Sequence, residues 1–176
     1  MLELPHPVRT TLVVLVVTTC VLLGTASPDV PVPVPASLHS LVLLVHLASL
    51  AVGLGAVLAI DWHGLLWLLR RIDLTELLTV TSRLTTPVWA GLSGLVASGV
   101  LLSPDVDAPL TRLKLVLVVL VTLNGLQAAA VHEALLRAGA TADRLPVRLL
   151  TRGLAVGAVS QVGWWGATTI GMLNTA

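Results

Sequence analysis

The stretch LHSLVLLVHLASLAVGLGAVLAI, Leu38 to Ile60, is 23 residues long and contains only two ionisable side chains, His39 and His46. At ~1.5 Å of rise per helical residue it is long enough to cross a hydrocarbon core of ~30 Å, so it reads as a membrane-spanning helix with histidines in it. His39, His46 and Gly53 are spaced by seven and therefore share one face, with Ser49 and Val57 near the same stripe. An imidazole at membrane depth is costly unless it faces protein or a cavity, so this face is expected to look into a helical bundle. Asp61 and His63 follow at the far end, and Trp62, Trp67 and the pair Arg70-Arg71 mark the exit into water. One helix thus offers a candidate ligand near each side of the membrane.

The rest of the composition agrees with a polytopic membrane protein. Hydrophobic residues make up 56% of the 176 residues and charged ones 11%, which excludes an ordinary soluble domain. A single cysteine, Cys20, rules out a disulfide within the chain, and no CxxC or CxxxH spacing is present. No basic domain interleaved with aromatics points to nucleic acid. Phe and Tyr are absent, so the five tryptophans carry every aromatic role, interfacial anchoring included.

The expected fold is all-α: one transmembrane helical domain over residues 1–176, with five spans at about 8–24, 38–60, 88–102, 110–136 and 149–173. Leu12 to Leu23 with Gly24-Thr25-Ala26-Ser27 after it fits either a cleavable signal peptide or an uncleaved first span, and the uncleaved span is preferred. Ser27 to Ser37, where Pro alternates with Val, is expected to be an extended loop. Asp73-x-x-Glu76 reads as a capping box opening an interfacial helix, and Pro87 is expected to kink or restart the chain before the third span. Gly91, Ser93, Gly94, Ala97, Ser98 and Gly99 give that span a small-residue surface suited to close packing, and Ser103-Pro104 ends it. Asp107-Ala108-Pro109 reads as the next helix start. Gly139 to Arg148 is a short polar connection.

Of the ten Lys and Arg residues, Arg9, Arg70, Arg71, Arg83, Arg137, Arg144, Arg148 and Arg152 fall on one side of this topology and only Arg112 and Lys114 on the other. The positive-inside rule then makes the N-terminus cytoplasmic and the C-terminus external. No internal repeat is evident, which weakens an inverted-repeat transporter.

Several polar residues are candidates for chemistry. His46 and His39 suit metal or haem ligation; the plainer alternative is an interfacial His39 and a His46 satisfied by one hydrogen bond. Lys114, one turn inside the fourth span and on the same outer side, is suited to hold a carboxylate or propionate, or else snorkels to the interface. His63 and His132 come from different helices at comparable depth and form the other candidate metal pair, beside Asp61 and Glu133, against a reading as ordinary charged helix ends. Asn124 and Gln161 lie near mid-membrane, where hydrogen bonding between helices is the default.

Taken together, the histidine helix in which His46 is followed by Gly55, the Pro87 to Leu102 helix closing on Ser98-Gly99-Val100-Leu101-Leu102, and Lys114-Leu115 resemble the copper-resistance D family of bacterial inner-membrane proteins and the related membrane protoporphyrinogen oxidases. The resemblance covers about residues 40 to 136. It implies a multi-pass protein of the bacterial cytoplasmic membrane that handles copper, haem or electrons. In the oxidases the matching histidine and lysine are associated with function and with b-type haem. The oxidases' further histidine in the lysine helix is absent around Val121, Thr122 and Leu123, and Met and Cys ligands for copper are scarce. Two other classes stand beside this expectation: a cofactor-free subunit that assembles with membrane partners or with itself, and a small-solute transporter.

Overall fold

The computed structural model describes residues 14–19, 35–137 and 145–173. The described residues are helical apart from short connections: α1 Ala36–Leu68, α2 Leu74–Leu101, α3 Pro109–Arg137 and α4 Val147–Leu173, with residues 14–19 also helical. The remainder of the expected first span and its cleavage site, Cys20, most of the Pro-Val loop and residues 138–144 of the last connection lie outside the described residues.

Three of these helices, over Ser37–Leu68, Leu74–Leu101 and Pro109–Arg137, are long and apolar enough to cross a membrane. Helix α4 has the length, 27 residues, but Gln161, two tryptophans and three threonines dilute its apolar character. Leu44, Leu47, Val116 and Val162 all stand exposed, as expected of helices that are apolar around their whole circumference and compatible with lipid contact.

Two expected boundaries move. Helix α1 does not stop at Ile60 but continues to Leu68, because the polar groups there find partners: Asp61 accepts from Gln161 of α4, and His63 Nδ1–H donates to the Ala59 carbonyl at 2.7 Å. It ends in a Schellman motif, with Arg71 N–H bonding Leu66 O at 2.8 Å and Arg70 N–H bonding Trp67 O at 2.9 Å. Arg70 takes the left-handed position of that motif at φ 56°. The second correction concerns Pro87, which does not restart the chain: α2 is one helix from Leu74 to Leu101. A proline in a packed apolar helix costs one backbone bond without ending it where neighbouring helices enclose it. Asp73 does occupy the N-cap position, but its side chain makes no capping bond, so the capping box is not formed. At the other end Ser103 adopts φ 48° and Pro104 follows, closing α2 as expected.

Helices α1 and α2 form one antiparallel hairpin and α3 and α4 another. In the first hairpin the expected small-residue surface is what brings the backbones together. A Cβ on Gly91 would stand 2.5 Å from Gly53 Cα and 2.7 Å from the Ser49 carbonyl oxygen, so only glycine fits. In the second, Gly163 lies against Val121, and Asn124 Nδ2–H donates to Val156 O at 2.9 Å between the helices.

The hairpins meet through tryptophans that exchange places. Trp164 of α4 sits over Gly53 of α1, where a Cβ would be 2.8 Å from its ring, and Trp89 of α2 sits over Gly125 of α3, where the figure is 3.0 Å. Trp89 and Trp164 pack with Val57, Leu92 and Val121 into a buried cluster at the middle of the bundle. At ~25 cal/mol per Å², burying two indoles here is a large apolar contribution that joins the hairpins.

Candidate functional site

The tryptophan cluster divides the space between the hairpins into two cavities. One, about 540 Å³, is lined by the beginning of α1, the end of α2, the beginning of α3 and the end of α4. The other, about 550 Å³, is lined by the opposite halves of the same helices. Leu92, Val121 and Trp164 face both.

The first cavity holds His46 and Lys114. The position of His46 follows from the glycine contact below it. In an antiparallel pair, stepping one turn along α1 from Gly53 reaches Ser49 and another reaches His46, while the same steps along α2 from Gly91 reach Gly94 and Ser98. Ser49 and Gly94 are accordingly in close contact, and His46 Nδ1 lies 2.9 Å from Ser98 Oγ. The Ser98 hydroxyl gives its one hydrogen to the Gly94 carbonyl at 2.5 Å, so its oxygen accepts from His46 Nδ1–H. That tautomer leaves the Nε2 lone pair as the ring's ligating atom. Gly99 lies beside the ring, with its missing Cβ 3.6 Å from Cε1. Buried Ser98 is thus a positioning residue whose role the sequence did not reveal beyond its membership of the small-residue surface.

Lys114 lines the same cavity from α3, as does Asp105 from the connection before it. His39 is exposed and is not on the cavity wall, so the structure does not join it to His46 despite their shared heptad spacing. The ring is two turns nearer the start of α1, beyond the reach of α2.

The second cavity holds Asp61 and His132, with Glu133 at its edge. His63 is not on its wall, and its Nδ1–H is committed to its own helix, so His63 and His132 do not converge on one cavity. Asp61 accepts from Gln161 Nε2, and Gln161 Oε1 in turn accepts from Trp165 Nε1–H at 2.8 Å. An indole N–H can only donate, which fixes the amide: its oxygen faces Trp165 and its NH₂ faces Asp61. Gln161 and Asn124 therefore both bond between helices, as amides in apolar helices do. The partnership of Asp61 with a residue 100 positions away has no local sequence signal.

Among the described residues, no group of three or more His, Cys, Asp or Glu side chains could hold a metal ion. Comparisons with protein families, with curated proteins and with solved structures return no match.

Proposed function

We propose that the chain is a multi-pass protein of a bacterial cytoplasmic membrane, N-terminus inside, that binds b-type haem in the His46 cavity for haem handling or electron transfer. The observation that carries this reading is the hydrogen bond from His46 Nδ1 to Ser98 in the wall of a cavity that also contains Lys114. Ligating histidines characteristically donate their other ring nitrogen in this way, which orients the imidazole and raises its basicity. In this reading His46 Nε2 would hold the haem iron, and the Lys114 ammonium would pair with a propionate. Leu47, Leu50, Leu95 and Val118 supply the apolar wall that excludes water. Haem in such a pocket supplies one-electron chemistry.

A bare copper ion fits these residues less well. Its donors among the described lining would be one imidazole, the Met172 thioether and the Asp105 carboxylate, with no thiolate, whereas Cu(I) favours several soft ligands. A small-solute carrier is the second reading. It draws on the two cavities of similar size, about 540 and 550 Å³, on either side of a closed septum.

Titration of the purified full-length protein with hemin tests the first reading. A saturable Soret band is expected, lost in His46→Ala and weakened in Lys114→Ala. A protein that acquires no Soret band, or whose band is unchanged in His46→Ala, overturns it in favour of a cofactor-free carrier or subunit.

A further inference from the structure

We infer that the Asp61 cavity is a binding site for lipophilic organic cations, with the Asp61 carboxylate as the counter-charge. This does not rest on the haem reading, which concerns the other cavity.

Charge is the first argument. Among the described residues that line this cavity there is no lysine or arginine, and the titratable ones are Asp61, Glu133 and His132. Glu133 is paired at the exposed rim with Arg137 at 3.0 Å. Asp61 is half-buried on the wall, and among the described residues it has no ion-pair partner; its neighbour is the Gln161 amide, held in donor orientation by Trp165. An amide offers a hydrogen bond but no charge, and a carboxylate in an apolar surrounding calls for a compensating cation. The second oxygen, Oδ1, faces Gly157, where a Cβ would stand 3.9 Å away at ordinary contact distance, so a larger side chain at this position would crowd the carboxylate.

The wall argues for an organic cation rather than a metal ion. Hard cations take six or more oxygen ligands, whereas the described lining offers Asp61, already bonded to Gln161, and the rim residue Glu133, set among leucines. The Asn124 amide is already committed to the Val156 carbonyl. Trp67, Trp89 and Trp164 line the same space, and an indole face attracts a desolvated cation. About 550 Å³ is within the range of small-molecule pockets. In the other cavity Lys114 would repel the same ligand.

Tetraphenylphosphonium is the probe, and its binding to the full-length protein in detergent is followed by quenching of tryptophan fluorescence. Saturable binding is expected, weakened roughly tenfold or more in Asp61→Asn and unchanged in Asp105→Asn, which removes the same charge at the other cavity. Gly157→Leu keeps the carboxylate but fills the space beside it, and the same loss is expected; it decides the matter should Asp61→Asn fail to fold. Triphenylphosphine oxide, with similar rings but no charge, is expected to bind at least roughly tenfold more weakly than the cation. Absence of saturable binding, undiminished binding in both cavity variants, or equal binding of the neutral compound overturns the proposal.

Discussion

The two cavities differ in volume by little, about 540 against 550 Å³, and share four helices and a common tryptophan septum, yet Lys114 lines one, with His46 and Asp105, while the described lining of the other has Asp61, Glu133 and His132 and no lysine or arginine. Their shape comes from the same device, glycines that admit either a helix backbone or an indole. Their chemistry comes from single polar residues, each fixed by a partner on another helix: His46 by Ser98, and Asp61 by Gln161. A bundle of this kind can therefore keep its architecture while its two ends acquire opposite ligand preferences, because packing and charge are set by different side chains.

Trp164→Ala is the most severe way to break that comparison. Trp164 is 4% exposed, closes both cavities and fills the seat at Gly53, so truncation is expected to cost about 3–5 kcal/mol and to merge the two spaces. Thermal denaturation in detergent measures the loss. A shift no larger than that of a surface substitution would mean that the hairpins are joined by something else.

Ser98→Ala tests one cavity alone. Removing the acceptor frees the His46 ring, and hemin affinity is expected to fall roughly 10–100-fold while the Asp61 cavity is untouched. Equal loss of tetraphenylphosphonium binding would show that the two ends are not independent. The smallest expected effect is at the rim: Arg137→Ala breaks an ion pair whose side chains are 75% and 48% exposed, and should change stability by no more than about 0.5 kcal/mol. A larger change would make the Arg137–Glu133 pair part of the cavity rather than its edge.

The helices were legible wherever apolar runs were long, and the end of α2 could be read from Ser103-Pro104, whereas α1 runs on past Ile60 through polar residues that find partners. The heptad placed His46 on an inward face but placed His39 there too, since periodicity fixes direction and not whether a neighbour reaches that far along the helix. Pro87 does not restart the helix, because a proline removes one backbone bond and the turns on either side carry α2 through it. Asp61 and Gln161 were each visible as polar residues in apolar runs, but a single sequence carries no sign that they face one another.

The interchange of Trp89 and Trp164 also bears on the order of biogenesis. Chains are made from the N-terminus, and helices inserted early wait for later partners. The first hairpin can close on Gly53 and Gly91 as soon as it is synthesised, but Trp89 then has no seat until Gly125 arrives, and the groove at Gly53 stays open until Trp164 does. Neither cavity exists in the half-made molecule. Both are created by the same late docking event, so a ligand of either one can bind only after translation has passed residue 164.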